Sequence, residues 1–124
     1  MERLNTIQKR EKLNEVYAVD EKGNGGANHE YHIVIRDTEE KEFAHDVVVI
    51  QFQNGARKEM DSVHGVLDTD LLEIARHRMK CFQAGPYASE YNAKVLEHIE
   101  LALMYLNRRV EDRIERNVLG TNEK

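Results

Sequence analysis

The apolar residues of this chain change their spacing once, near Gly65, and that switch limits the folds open to it. Before Gly65 they come in short β-branched runs: Val16-Tyr17-Ala18-Val19, Ile33-Val34-Ile35 and Val47-Val48-Val49-Ile50. Side chains of this kind suit a pleated surface, and the runs predict strands over 15–20, 30–36 and 46–53. After Gly65 the apolar residues recur at three- and four-residue steps, the period of a helix. The expected class is α+β: a small N-terminal antiparallel β-sheet followed by a C-terminal antiparallel helical hairpin with a long last helix.

The punctuation between these segments agrees. Gly23-Asn24-Gly25-Gly26 tolerates positive φ and predicts a flexible loop. A charged turn, Asp37-Thr38-Glu39-Glu40, separates the next two strands in a meander. Asn54-Gly55 is a strong hairpin signal and makes 56–60 a return strand paired with 49–53, so the sheet part occupies about 15–60. The first fourteen residues hold only Leu4, Ile7 and Leu13 as large hydrophobes and predict a short helix or a loose arm.

In the second half, Asp68-Thr69-Asp70 offers N-cap oxygens, and Leu71, Ile74, Ala75, Arg78 and Phe82 follow at helical spacing, predicting a helix over 69–83. Gly85-Pro86 stops it. Ser89, with Asn92 three residues on, begins the next helix in the manner of a capping box. Its stripe, Val95, Ile99, Ala102, Leu103, Leu106, Val110, Ile114 and Val118, runs on until Gly120. The hairpin thus spans about 68–119. A helix of that length, about 40 Å, overhangs its shorter neighbour, and a second copy is the simplest cover.

The 124 residues suit a single domain over 1–124. A chain this short buries only about two-thirds of its unfolded surface, so pairing with copies of itself is a physical expectation. Eighteen Lys plus Arg against 23 Asp plus Glu give a net charge of -5, which opposes adhesion to DNA, RNA or an anionic membrane. Any anion site must be a local cluster. No window has the apolar length of a membrane span, and the N-terminus lacks a signal-peptide run. The lone cysteine, Cys81, sits in an apolar helical stretch and reads as a buried thiol in a reducing compartment, so a cytoplasmic location is expected.

Arg109, Arg113 and Arg116 stand on one helical face at i, i+4 and i+7. They form either a phosphate grip of forked donors or a solvated face neutralised by Glu111, Asp112 and Glu115. Phe82 ends the first helix, where an antiparallel hairpin keeps it away from Arg109 of its own chain. A second chain packed antiparallel could join the two ends into an intersubunit pocket, with Phe82 stacked on a base. Phe82 could equally be core. Asn92 could bind a ribose or a base edge, or make a local contact at the helix start. Arg57 and Lys58 offer a further anion point, or charges that discourage edge pairing.

Other chemistry finds little support. The six histidines form no helical zinc pair, and His29 and His32 face opposite sides of a strand. His45-Asp46 resembles the dyad of metal phosphohydrolases but lacks the helical surroundings, so no metal is expected. The glycine loop at 23–26 precedes no helix, which removes the basis for dinucleotide binding at a helix N-terminus. No nucleophile-base pair stands out; neither a catalytic residue nor a cofactor is expected.

Four stretches together carry a resemblance: Val49-Ile50-Gln51-Phe52-Gln53-Asn54-Gly55-Ala56-Arg57-Lys58-Glu59, Val63-His64-Gly65-Val66, Phe82-Gln83-Ala84-Gly85-Pro86-Tyr87-Ala88, and Arg109 through Val118-Leu119-Gly120-Thr121. They resemble the helical-hairpin domain of the Thoeris anti-defence phage sponge family, shared with anti-CBASS cyclic-nucleotide sponges. The strands between Glu15 and Val48 favour the Thoeris branch. The resemblance implies a non-catalytic protein that sequesters glycocyclic ADP-ribose, the signal of TIR-domain enzymes, in pockets between two chains of a homodimer that assembles into a higher oligomer such as a hexamer. It implies that Phe82, Asn92, Arg109 and Arg113 bind the ligand. It also implies a further site for cyclic oligonucleotides near Arg57, although Ala56 replaces the usual proline and the turn at 61–65 is looser than the family pattern. A cyclic nucleotide phosphodiesterase and a pure interaction module are the competing readings.

Overall fold

The computed structural model describes residues 1–36 and 44–124; the charged turn expected at Asp37-Thr38-Glu39-Glu40 lies outside them. The elements run β1 (Glu2–Arg3), β2 (Asn14–Ala18), β3 (Glu30–Arg36), β4 (Ala44–Gln51), α1 (Asp68–Gln83) and α2 (Glu90–Glu115), with a 3-10 turn at Asn24–Gly26. The α+β architecture is the expected one. Two compact units divide the chain: residues 1–55 with 61–65, and residues 66–124 with 56–60.

The first unit is a four-stranded antiparallel meander, ordered β1-β2-β3-β4. Val16 lies opposite Ile33, and Ile33 opposite Val48, so the β-branched runs stack across neighbouring strands. Tyr31 meets Phe52 edge to face with ring centroids 5.6 Å apart. Behind β2, the Asp20 carboxylate accepts the backbone N–H groups of His29 and Glu30, at 3.0 and 3.2 Å, and ties the glycine loop to the start of β3. His29 is buried, while His32 is half-buried and lies 3.0 Å from Glu30.

Two expectations in this unit need correction. The N-terminal arm is neither helical nor wholly loose: Glu2 and Arg3 pair with Ala18 and Tyr17, and Leu4 N–H donates to Val16 O at 2.8 Å. A two-residue strand held by backbone bonds leaves no apolar alternation to read. The return strand at 56–60 does not form. Asn54 instead pairs with Val63 through two 2.8 Å bonds, so Asn54-Gly55 opens a wide loop. The backbone donors of 56–60 are spent elsewhere, Glu59 on Ala56 O and Lys58 on Gly120 O, each at 2.9 Å. The loop closes at Gly65, where a Cβ would lie 2.4 Å from Gln51 O. Only glycine fits so close to a neighbouring backbone.

The second unit is the helical hairpin. At the start of α1, Asp70 accepts Leu67 N–H at 2.8 Å, and Asp68 and Asp70 complement the helix dipole. Across the turn, the Gln83 amide both donates to Ser89 O and accepts from Ser89 N–H, at 3.1 and 2.9 Å. Ser89 Oγ accepts Asn92 N–H at 3.0 Å, giving one half of the expected capping box. The other half is absent because Gln83 already holds Ser89 N–H. α2 ends as Asn117 turns left-handed, φ 58.

Neither helix contains a buried residue. Leu71, Ala75 and Met79 are half-covered, but Ile74 is 60% and Met104 64% exposed. Cys81, expected inside, is exposed, its Sγ 3.9 Å from the His77 ring nitrogens. Helical spacing assigns residues to a face without saying what covers that face. Among the described residues only Ala18 and His29 are buried.

Candidate functional site

The expected ligand-binding residues all lie in the helical unit, at its two ends. Arg76 Nε donates to Glu100 Oε2 at 2.9 Å, which fixes the antiparallel register of the helices. The hydrogen bond it donates to Glu100, reinforced by the charges of Glu100 and Glu73, raises the pKa of Arg76 and keeps it protonated. In this register Phe82 stands near the level of Lys94, and Arg109 lies some fifteen residues further along α2, about 22 Å away. One chain therefore brings Phe82 close to Asn92 but keeps both apart from Arg109 and Arg113, as the hairpin argument anticipated.

At the turn end, Phe82 is half-buried, and the Arg78 guanidinium lies 5.4 Å from its ring centroid. That partner was missed in the sequence, although an Arg and a Phe four residues apart on a helix are the signal for such a stack. Asn92 Nδ2 donates to Tyr87 O at 3.0 Å, the local contact foreseen for it. Its amide oxygen makes no hydrogen bond among the described residues.

At the arginine end the three guanidinium groups differ. Arg116 pairs with Asp112 at 3.0 Å, as a neutralised surface face would have it. Arg113 Nη2 donates to Val118 O and Thr121 O, at 3.1 and 3.0 Å, and so braces the turn after α2. Arg109 is exposed and makes no ion pair among the described residues. Lys58 N–H reaches Gly120 O in that same turn, so Arg57 sits on the segment packed at the arginine end, not on a hairpin arm of the sheet. Arg57 and the turn braced by Arg113, far apart in sequence, thus belong to one local assembly.

Chemically, the two ends differ. One offers an aromatic face with an amide beside it. The other offers a forked cation that binds phosphate oxygens bidentately. Among the described residues no group of three or more His, Cys, Asp and Glu side chains is placed to hold a metal ion, and no helix is long and apolar enough to cross a membrane. The side chain of His45 lies outside the described residues.

Comparison with known proteins places these features. Over 84 residues, 68% of its length, the chain is 36% identical to Thoeris anti-defense 1 of Bacillus phage SBSphiJ7; the match spans 58% of that relative. The Acb2/Tad1 hairpin domain matches residues 44–111, which take in β4, the Asn54–Gly65 loop, α1 and most of α2. With more than half its length in that match, the chain belongs to the Acb2/Tad1 hairpin-domain family.

Proposed function

We propose that this chain is a phage anti-defence protein that binds a TIR-generated cyclic ADP-ribose isomer, glycocyclic ADP-ribose, and holds it uncleaved, so blocking Thoeris immunity in the cytoplasm of the infected cell. The observation that carries the reading is the separation of Phe82 and Asn92 from Arg109 along a hairpin with no buried side chain. Two copies packed antiparallel bring the aromatic end of one to the arginine end of the other. They cover the exposed Ile74 and Met104 as they do so.

In that pocket Phe82 stacks on the adenine, Asn92 meets a ribose or base edge, and Arg109 with Arg113 grips the diphosphate. The sponge acts by affinity alone: a micromolar Kd leaves much of a scarce signal free, so tight binding is required. The assembly is a homodimer that builds a higher oligomer such as a hexamer, and the segment carrying Arg57 contributes to a second site for cyclic oligonucleotides.

The test is to mix the protein with the product of an activated TIR enzyme, remove free ligand, heat-denature the complex and identify what is released by mass spectrometry. Intact cyclic ADP-ribose isomer, lost in Phe82→Ala and in Arg109→Ala, is the expected result. Cleaved product would make the protein a phosphodiesterase, and no released ligand an interaction module.

A further inference from the structure

We infer that the N-terminal arm forms a separate anion site on the sheet unit, one that takes a phosphorylated small molecule of nucleotide size. The arm and the start of β2 enclose an open recess of about 370 Å³ whose lining residues include Arg3, Lys9 and Lys12. That volume lies within the range of small-ligand sites. In a chain with a net charge of -5, three cations against one carboxylate around a single hollow make a local positive field that the composition as a whole does not provide.

The two lysines meet neutral partners within the recess. Lys9 Nζ donates to Asn5 Oδ1 and Lys12 Nζ to Thr6 Oγ1, both neutral acceptors. Glu15 is the one carboxylate on the wall; it feels the charge of Arg3, while its hydrogen bonds come from outside the recess. It accepts from Tyr17 OH at 2.6 Å and from Arg36 Nε at 3.1 Å. Glu2 and Glu11 belong to the same arm but do not line the recess. Glu2 alternates with Arg3 along β1 and points to the opposite face.

The shape of the arm is held by β1 and by Glu11, whose φ of 53 puts a bulky residue in the left-handed region. That conformation is unfavourable for such a residue and persists only where the surroundings impose it. It reverses the chain so that Lys12 returns to the hollow entered at Arg3. Lysines supply mobile point charges rather than rigid forks, which suits a terminal phosphate or a pyrophosphate. The Asn5 and Thr6 side chains add hydrogen-bonding groups for sugar hydroxyls. The recess lies wholly within the sheet unit and shares no residue with the hairpin pocket.

The experiment titrates the full-length protein with inorganic pyrophosphate, then with ADP, at low ionic strength, following backbone amides by ¹⁵N–¹H NMR. The expected result is saturable movement of amides within residues 3–15, with a Kd below about 1 mM. Binding should weaken at least tenfold in Lys9→Ala/Lys12→Ala, persist in Lys9→Arg/Lys12→Arg, and persist in Arg109→Ala. It should also fade near 0.5 M salt, where screening reaches only a few ångströms. The proposal is overturned if those amides do not saturate, if the double alanine variant binds as tightly as the parent, or if Arg109→Ala abolishes the effect. Because the readout is local to residues 3–15, failure here leaves the hairpin reading standing, and failure of the hairpin reading leaves this one standing.

Discussion

Arg76 and Glu100 meet at 2.9 Å across the two helices, and this ion pair marks which residues of the hairpin lie level with which. Moving six residues from Arg76 toward Phe82 moves six residues back from Glu100, away from Arg109. If a ligand pocket needs both ends, its halves come from different chains.

Mixing two defective variants tests that arrangement. In a two-fold dimer of one Phe82→Ala chain and one Arg109→Ala chain, both lesions fall in one pocket and the other pocket is intact. Either variant alone should fail to retain ligand. Refolded together in equal amounts, they should recover about a quarter of the parental sites, since about half the dimers are hybrids with one good pocket each. Equilibrium dialysis against the cyclic ADP-ribose isomer reads the number directly, and no recovery would place the pocket within one chain.

Arg109 and Arg113 should separate in their effects on stability. Arg113 holds Val118 O and Thr121 O; Val118 O keeps its bonds from Thr121 N–H and Oγ1, so Arg113→Ala strips the Thr121 carbonyl of its donor and should cost about 1 kcal/mol. The exposed Arg109 side chain makes no ion pair among the described residues, and Arg109→Ala should melt within about 2 °C of the parent. Circular dichroism melts of the two variants at equal concentration make the comparison.

Gly65→Ala should be among the most damaging single substitutions. A Cβ there would approach Gln51 O to 2.4 Å and Phe52 C to 2.6 Å, both backbone atoms that no rotamer change can move. We expect a loss of about 2 kcal/mol or more by urea denaturation, with the 61–65 loop detached first in hydrogen exchange.

Acid should loosen the sheet through Glu15. Its hydrogen bond from Tyr17, and then that from Arg36, lower its pKa below the ordinary 4.5. A carboxylate lowered on folding contributes stability above its unfolded pKa and loses it as pH falls through the folded value. The contribution is therefore present at neutral pH and fades below about pH 4.5. Urea midpoints from pH 6 to pH 3 should fall less steeply for Glu15→Gln than for the parent.

Where side chains decided the structure, the sequence was readable. β-branched runs marked β2, β3 and β4, and the cap and breaker residues around Asp68, Gly85-Pro86 and Ser89 bounded both helices. Where backbone alone decided it, nothing marked the outcome: Leu4 on Val16 makes β1, and Lys58 on Gly120 draws 56–60 away from the sheet. Periodicity placed Ile74 and Cys81 on helical faces but carried no information on coverage, and both are exposed. For the candidate site, the division between a Phe82 end and an Arg109 end followed from the hairpin. The bracing of Val118 and Thr121 by Arg113 did not, because a guanidinium that grips a carbonyl and one that grips a phosphate look alike in a sequence.

The unbroken run of α2, 26 residues with neither glycine nor proline, makes that helix a ruler and a dial at once. Inserting one residue between Asn92 and Arg109 would lengthen the span by about 1.5 Å and also swing the arginines about 100° around the axis, onto the wrong side of any partner. Seven residues would nearly restore the angle while stretching the gap by about 10 Å. Length and phase cannot be altered separately, so natural variation in this part of the chain should proceed by substitution and leave the residue count between those two positions untouched.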